Sequence, residues 1–393
     1  MNRISVKVDL IKPSATIAVS MQAMALKSQG KDIVSLSAGE PDFDTPEHIR
    51  EAAIAAIRAG KTRYTQVDGT PALKAAIIHK LQSQNGLTYK RDQVIVSSGA
   101  KQSLYNLLVA TLNPEDEVIV PAPYWVSYPD MVKLAGARPA ILSAIPENDY
   151  KITARELQNT LNDNTRLLIL NSPSNPTGKV YTAEEYRKLG NVLLEHGKVS
   201  IVCDDIYEHI YWGDRPYRTF LNACPELADR TLVVNGVSKG YAMTGWRIGY
   251  VAGPADVVKA MRKVQGQSTS CPSSISQAAA VSALNGPQDC LEEMRICYEE
   301  RYHYIHGALN EIPGVSCPEC DGAFYAFPSF QGVIDNMEDV RDDVELATWL
   351  LEEAGVATVP GTAFGAPGHL RLSYASSLEE LEEAIGRIRS ALT

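Results

Sequence analysis

The sequence lacks the features of a membrane protein and of a disulfide-rich secreted protein. Its longest apolar runs, such as Leu167–Leu170, fall far short of the roughly 20 apolar residues that a membrane-spanning helix needs. The N-terminal stretch MNRISVKVDLIKPS carries scattered charges and no apolar signal core. Seven cysteines are an odd number without framework spacing, which favours reduced thiols. We therefore expect a cytoplasmic protein.

A basic surface and a nucleotide-binding loop are also missing. Lysine and arginine number 37 against 47 aspartates and glutamates, which gives a formal net charge of −10. Neutralising nucleic-acid phosphates requires a basic face, so this charge disfavours a nucleic-acid partner. The pattern G-x-x-x-x-G-K-[ST] does not occur, so a P-loop is not expected.

Candidate metal ligands are few and poorly spaced. Cys317 and Cys320 form a single C-P-E-C pair without a second pair of ligands. His303 and His306 lie three apart, and neither has an acidic or cysteine partner at metal-ligand spacing. We expect no metal site, and we interpret the cysteine pair as a loop and the histidines as partly exposed helix residues.

The middle of the chain alternates apolar strands with helical patterns. At 393 residues it suits one large domain and a smaller one. Nearly all-apolar strands separated by helices predict an α/β fold with a mostly parallel sheet covered on both faces. The predicted strands are Gln93–Ser97, Glu117–Val120, Arg166–Leu170, Ser200–Cys203, Thr231–Val234 and Ile248–Ala252.

After Pro287 the pattern changes to a long helix, 289–309, without an accompanying strand. It is followed by a strand at 323–327, a helix at 343–354, a strand at 370–373 and a helix at 378–392, which predict a small α+β domain. We predict a large domain over 45–286 and a small domain over 287–393. The N-terminal segment 1–44 is predicted to be part of the small domain.

One lysine lies where ligands bind in α/β sheets. Lys239 directly follows an apolar strand, and Gly236, Ser238 and Gly240 leave room near its amine. Arg247 precedes the next apolar strand, so its guanidinium could meet an anion at the same edge. A surface lysine and a structural arginine are the alternative on local sequence alone.

Further strand ends carry polar groups. Asp204 ends the strand that starts at Ser200, where its carboxylate could pair with a cationic ring nitrogen or simply cap a helix. Asn175 lies in a proline-rich turn, and a turn-forming role is the alternative. The segment from Ser98 to Lys101 lies between a strand and a helix start, where backbone N–H groups could approach a phosphate.

These segments together resemble the class I and II aminotransferases, over nearly the whole chain and in the family's order. The bacterial aspartate aminotransferase subgroup matches best. The motifs are Asn235-Gly-Val-Ser-Lys239-Gly with Gly245-Trp-Arg247-Ile-Gly249, Ser37-Ala-Gly39-Glu-Pro-Asp-Phe, Tyr64, Ser98-Gly99-Ala100-Lys101-Gln, Pro123-Tyr-Trp125-Val-Ser-Tyr, Asn171-Ser-Pro-Ser-Asn175-Pro-Thr-Gly178, Asp204-Asp-Ile-Tyr207-Glu and His369-Leu-Arg371-Leu-Ser.

The resemblance implies a fold-type I enzyme that holds pyridoxal 5′-phosphate as a Schiff base on Lys239. Asp204 would pair with the pyridine nitrogen, and the ring would then act as an electron sink. Asp205, where the family more often has glutamate, is expected to be an outward neighbour without a catalytic role. The other implied cofactor contacts are Gly99, Ala100, Lys101, Ser238 and Arg247 around the phosphate, Trp125 stacked on the ring, and Asn175 with Tyr207 at the ring 3-oxygen.

The resemblance also implies how substrates and a partner subunit are held. Arg371 and the Gly39 backbone N–H would bind the substrate α-carboxylate, next to Trp125 and Asn175. Tyr64 would reach the cofactor phosphate from the partner subunit of a homodimer. Lys101 and Thr16 match the residues that hold the side-chain carboxylate in the bacterial subgroup. These matches imply ping-pong transamination of aspartate and glutamate with 2-oxoglutarate or oxaloacetate, and activity on prephenate as well.

Two other interpretations stay open at this point. The same fold could serve a β-lyase or an aminotransferase for aromatic or neutral amino acids. A non-catalytic cofactor-sensing module of a DNA-binding regulator would carry a basic winged-helix segment before this domain, and none is expected here.

Overall fold

The computed structural model describes residues 3–392 as helices and strands that build one large sheet and two small ones. The helices are α1 (Val6–Asp9), α2 (Ala15–Ser28), α3 (Glu47–Arg58), α4 (Pro71–Asn85), α5 (Ala100–Thr111), α6 (Ser127–Leu134), α7 (Ala154–Thr160), α8 (Ala183–Leu194), α9 (Phe220–Ala223), α10 (Ala255–Gly266), α11 (Ser274–Asn285), α12 (Asp289–Asn310), α13 (Gln331–Ile334), α14 (Asp343–Glu353) and α15 (Leu378–Leu392). The strands are β1 (Val34–Ser35), β2 (Val94–Ser97), β3 (Glu117–Ala122), β4 (Arg138–Ser143), β5 (Thr165–Asn171), β6 (Ser200–Asp204), β7 (Thr231–Gly236), β8 (Gly249–Ala252), β9 (Tyr325–Ala326), β10 (Val356–Ala357), β11 (Val359–Pro360) and β12 (Leu370–Ser373).

Seven of the described strands form the central sheet in the order β2-β8-β7-β6-β5-β3-β4. β8 runs antiparallel to both of its neighbours, and the pairs from β7 to β4 are parallel. β2 therefore points the same way as β7. The carboxyl ends of β2, β3, β4, β5, β6 and β7 all meet at one edge of the sheet.

Alternate residues of the inner strands pack on opposite faces of the sheet. In β5, Leu167 and Ile169 belong to the core under α5, α6 and α10, whereas Leu168 and Leu170 belong to the core under α7 and α8. Both faces are thus covered by helices, which explains why the strand sequences are apolar throughout. The α/β fold predicted from the sequence is confirmed.

The C-terminal third builds a separate core around α12, α14 and α15. Its short sheet has the order β11-β12-β9, and β1, from the N-terminal segment, pairs with β10 in parallel. The N-terminal segment therefore joins the C-terminal third by backbone hydrogen bonds. The boundaries at 45 and 287 stay a prediction.

Several elements of the structure differ from the prediction or were not predicted. β4 was not predicted, because an edge strand with a proline at Pro139 and alternating exposure lacks an apolar run. The strand predicted at 323–327 covers only Tyr325–Ala326, since Ala323 has a positive φ of 60°. Helices α2, α3 and α4 were also not predicted. Within residues 3–392, no helix is both long and apolar enough to cross a membrane.

Candidate active site

A cavity of about 550 Å³ opens at the edge where the parallel strands end. It lies between the central sheet, helix α2 and strand β12, so its walls come from distant parts of the chain. The predicted site residues that line it are Thr16, Gly39, Ala100, Lys101, Trp125, Asn175, Asp204, Tyr207, Ser238, Lys239, Arg247 and Arg371.

Lys239 reaches the cavity from the turn after β7. Its Nζ donates a hydrogen bond to the Gly39 carbonyl oxygen and lies over the rings of Tyr207 and Phe324, 5.7 and 5.4 Å from their centroids. Burial, and then the neighbouring Arg371 guanidinium, lowers the pKa of the Lys239 amine to about 8. A sizeable fraction of this amine is therefore neutral and nucleophilic near pH 7–8.

Asp204, the last residue of β6, presents a buried carboxylate to the same cavity. Tyr128 donates a 2.7 Å hydrogen bond from its hydroxyl to Oδ2, and the Ile206 N–H donates a longer one of 3.4 Å to Oδ1. Burial raises the pKa of Asp204 to about 6, although both hydrogen bonds lower it. The Tyr128 hydroxyl donates a hydrogen bond but carries no positive charge. A cation bound next to this carboxylate would supply that charge.

The expectation that Asp205 is an outward neighbour was wrong, and its lack of a catalytic role stays a prediction. Its side chain does not point outward: it is buried, with Oδ1 accepting a 3.2 Å hydrogen bond from the Tyr217 hydroxyl. Alternation along β6 turns Asp205 away from the cavity, and the rest of the fold covers that opposite face of the strand end. Burial, and then the nearby Glu208 carboxylate, raises the pKa of Asp205 well above its usual range.

Arg247 approaches the start of α5 closely. A Cβ on Gly99 would lie 2.3 Å from its Nη2, and a Cβ on Gly249 would lie 2.2 Å from the Ala100 nitrogen. Gly99 also has a φ of 87°, which side chains rarely adopt. These glycines let a guanidinium and the first backbone N–H groups of a helix converge, which is an arrangement suited to a phosphate. Gly99 thus shapes the site without lining the cavity.

Arg371 on β12 is 1% exposed and holds the opposite side of the cavity. Its Nη1 donates a 3.0 Å hydrogen bond to Asn175 Oδ1, and its Nη2 donates a 2.8 Å bond to the Ser37 carbonyl. Its Nε has no partner, and its guanidinium lies 4.4 Å from the centre of the Tyr325 ring. A buried, incompletely paired guanidinium in a cavity is suited to a carboxylate ligand.

Asn175 and Tyr207 join this network. Asn175 uses Oδ1 for Arg371, which leaves its Nδ2 as a donor, and its backbone N–H is held by Asn171 Oδ1 at 2.8 Å. The Tyr207 and Tyr325 hydroxyls share a 2.9 Å hydrogen bond. Both side chains line the same cavity as Lys239.

Lys101 and Trp125 form the wall at the start of α5. Lys101 Nζ lies 4.8 Å from the centre of the Trp125 ring. Burial, and then the Arg247 charge, lowers the pKa of Lys101. The Lys101 amine thus lies at the cavity, over the Trp125 ring.

Helix α2 closes the cavity from the N-terminal segment. Thr16 lines it with three apolar neighbours that are strongly exposed, Ile17 at 55%, Met21 at 65% and Met24 at 70%. Thr16, together with Ser14 and Ser20, therefore brings hydroxyl groups to a wall that also carries flexible apolar side chains.

Tyr64 is the predicted residue that the fold does not bring to this cavity. Its side chain is 91% exposed, and it is not among the residues that line the cavity of its own chain. A reach from a partner subunit, as the resemblance implies, stays a prediction.

Several residues that line the cavity were not predicted from the sequence. Tyr128 lies within one of the motifs, and its position three residues after Trp125 was the signal that both face one way. Glu40 also lies within a motif, next to Gly39, whereas Tyr325 and Thr244 had no comparable signal. Thr244 donates a hydrogen bond to the Glu40 carboxylate, which connects the loop before Arg247 to the N-terminal segment.

The remaining candidate ligands lie elsewhere. Cys317 and Cys320 are buried, and burial raises the pKa of each thiol to about 12. His303 is exposed and His306 half-buried on α12. Among residues 3–392, no group of three or more histidine, cysteine or acidic side chains could hold a metal.

The sheet order, the lysine after β7, the carboxylate that ends β6 and the arginine on β12 together define the fold-type I class of transferases. The cavity lies at the carboxyl edge of the sheet, where open α/β folds bind ligands.

Comparison with known proteins gives the family. The model of aminotransferase class I and II matches residues 31–388. The chain is 48% identical over 396 residues to the aspartate/prephenate aminotransferase of Nitrosomonas europaea, with 100% of both chains covered. The aspartate aminotransferase structure from Rhizobium meliloti superposes with a TM-score of 0.96 at 46% identity, covering 100% of this chain and 99% of that one. The structure of the Thermus thermophilus aspartate aminotransferase with maleate gives 0.93 at 42% identity, covering 99% and 100%.

The chain therefore belongs to the class I and II aminotransferase family, and it is an aminotransferase. The resemblance inferred from its motifs is confirmed.

Replacing the buried carboxylate should stabilise the protein once bound cofactor is stripped. The pKa of Asp204 in the folded protein, about 6, lies above the usual value of 3.8. Keeping this carboxylate ionised in the folded state therefore lowers the free energy of unfolding, and the full reduction is reached only above about pH 6. Asp204→Asn should therefore raise the free energy of unfolding by about 1–3 kcal/mol at pH 7.5. The gain should shrink as the pH is lowered towards 5. Denaturant unfolding across this range measures both.

The exposed Asp163→Asn serves as the control and should change stability little. A less stable Asp204→Asn protein at pH 7.5 would contradict the assignment of a costly buried charge.

Proposed function

We propose that this protein transfers the amino group of aspartate or glutamate to 2-oxoglutarate or oxaloacetate, with pyridoxal 5′-phosphate as its cofactor, and that it also aminates prephenate to arogenate. The observation that carries the proposal is a pair of cations, Arg371 and Lys101, lining the same cavity as Lys239. Two cations suit a substrate with two carboxylates. The names of the relatives agree: one is an aspartate/prephenate aminotransferase, and one was solved with the dicarboxylate maleate.

The donor set fits the cofactor. Asp204 offers an unneutralised carboxylate for a protonated pyridine nitrogen, and Arg247 with the start of α5 suits the phosphate. Ser238, Gly99 and Ala100, with the backbone of Lys101, would complete the phosphate site. Trp125 would cover the ring, and Asn175 Nδ2 with the Tyr207 hydroxyl would donate to the ring 3-oxygen. When bound, the cofactor supplies an electron sink for the pair left at the substrate Cα.

Lys239 would hold the cofactor, and its amine, once free, would serve as the acid–base group at the substrate Cα. Its lowered pKa of about 8 suits an amine that must accept a proton from Cα and give it back near neutral pH. Both half-reactions use this one amine and one cavity, so we expect ping-pong kinetics.

Arg371 and its neighbours orient the substrate. Asn175 Oδ1 and the Ser37 carbonyl fix the guanidinium, and the unpartnered Nε faces no competing acceptor. A carboxylate bound there would be joined by the Gly39 N–H. This contact places Cα within reach of Lys239, because Lys239 Nζ already bonds Gly39.

The far side of the cavity sets the side-chain preference. Lys101 is a flexible point charge, so it should pair with carboxylates at more than one distance, with the Thr16 hydroxyl as a second donor. Ile17, Met21 and Met24 form an apolar wall beside them that is suited to the ring of prephenate.

We further propose a homodimer in which each Tyr64 reaches the cofactor phosphate of the neighbouring subunit. The support is the match of Tyr64 to the family motif, together with its exposure of 91%, which leaves the side chain accessible to a second subunit.

Borohydride reduction followed by peptide mapping tests the cofactor attachment. The pyridoxyl group should be found on Lys239, because its amine is buried, depressed in pKa and directed into the cavity. Lys239→Ala should retain weak cofactor binding and lose almost all transamination. Label on any other lysine would defeat the assignment.

Lys101→Ala tests the substrate preference. Losing one charge-assisted contact should lower kcat/KM on aspartate and on prephenate, by an amount that corresponds to about 1.5–3 kcal/mol of transition-state stabilisation. Activity on an apolar amino acid should change little. Lys259→Ala, on the exposed surface of α10, is the matched control. An equal loss on all three substrates would assign Lys101 to the fold or the cofactor. A parent enzyme that prefers aromatic or neutral amino acids, or that releases β-substituents, would favour the alternative reactions.

Tyr64→Phe tests the shared site. We expect cofactor affinity to fall about tenfold or more, with a smaller change in kcat, because a single hydrogen bond to a charged group is lost. Dialysis against limiting cofactor gives the affinity, and sedimentation at assay concentration gives the subunit number. A fully active monomer would rule out the shared site.

A further inference from the structure

A buried polar cluster lies behind the catalytic residues, on the side of the strand ends away from the cavity. Lys80 on α4 is 1% exposed and pairs with Glu208, which is 7% exposed. Isolated charges in such a place are costly, and a buried ion pair by itself is weak support for stability. The role of this pair therefore depends on the segments that it connects.

The Glu208 carboxylate is shared by three segments. Its Oε1 accepts hydrogen bonds from Lys80 Nζ and, at 2.6 Å, from Asn235 Nδ2. Its Oε2 accepts a 2.6 Å bond from Asn85 Nδ2, and Lys80 also donates to Asn85 Oδ1 at 2.7 Å. Burial opposes ionisation, but the Lys80 charge and these donors lower the pKa of Glu208 to about 2. The carboxylate is thus charged and saturated.

Its attachment points lie directly beside the reacting groups. Glu208 follows Tyr207 in sequence and lies four residues after Asp204. Asn235 lies four residues before Lys239, and its Oδ1 accepts a 2.7 Å bond from the Gly236 N–H, so this one side chain bonds both Glu208 and the start of the lysine turn.

We infer that Glu208 and Asn235 are positioning residues: their hydrogen bond fixes the turn that carries Lys239 relative to the segment that carries Asp204 and Tyr207. Asn85 binds the other oxygen of the same carboxylate, so it links α4 to Glu208 and does not bond the turn that carries Lys239. Lys80 supplies the charge that keeps the carboxylate ionised. The inference rests on the proposed function only for its catalytic readout.

Asn235→Ala and Asn85→Ala form a matched pair, because each removes one amide donor from Glu208. We expect Asn235→Ala to lower kcat by about 10- to 100-fold with KM nearly unchanged, as for a small misplacement of reacting groups. It should also shift the pH midpoint of the absorbance band of the bound cofactor. Asn85→Ala should stay within about threefold of the parent in kcat, since one lost neutral donor costs stability rather than alignment.

Hydrogen–deuterium exchange of the peptide covering 236–243, in holoenzyme and in cofactor-free protein, should speed up in Asn235→Ala and not in Asn85→Ala. This readout remains valid even if the proposed cofactor or substrates are wrong.

The inference is overturned if both single variants lose kcat equally, in proportion to their loss of thermal stability, or if exchange of 236–243 is unchanged in Asn235→Ala. Either result would make the cluster a structural one only.

Discussion

Desolvation of the charges around one cavity is the constraint on which the site depends. Asp204, Lys239 and Arg371 are all withdrawn from water. Burial raises the pKa of Asp204 and lowers the pKa of Lys239 and of Arg371, so it favours the neutral form of each. None of the three is matched by a full opposite charge among the contacts described above. A ligand with a cationic ring, a carbonyl carbon and a carboxylate would relieve all three at once. The site is therefore complementary to its occupants in charge as well as in shape.

The direction of β8 brings these groups to one place. Had it run parallel to β7, Arg247 at its start would lie at the far edge of the sheet, away from Lys239. Because β8 is antiparallel, the short connection from Lys239 to Arg247 turns back at the carboxyl edge, and both side chains face the cavity. β12 then supplies Arg371 from the C-terminal third, so ligand binding involves both parts of the molecule.

Much of this arrangement could be predicted from sequence, because strand ends in a parallel sheet share one edge. That rule located Lys239 and Asp204 and put Asn175 after its strand. It could not give the direction of β8, since an apolar run is the same in either direction. It also failed at Asp205, because burial on the far side of β6 depends on contacts with chain remote in sequence, such as Tyr217. Tyr128 and Tyr325 were missed for the same reason: their partners lie 76 and 118 residues away.

Two groups of buried charges near the strand ends differ in how they are satisfied. Away from the cavity, both oxygens of Glu208 accept hydrogen bonds, from a lysine and two amides, without any ligand. On the cavity side, Asp204 has one hydroxyl and one long backbone contact, and Arg371 keeps an unpartnered Nε. A saturated cluster resists rearrangement, because moving any member exposes a buried charge. An unsaturated one favours whatever ligand completes it. The first group lies directly behind the second, so it restricts the movement of the incompletely paired charges before a ligand binds. Charges that are already in place favour the ligand and the transition state that complete them.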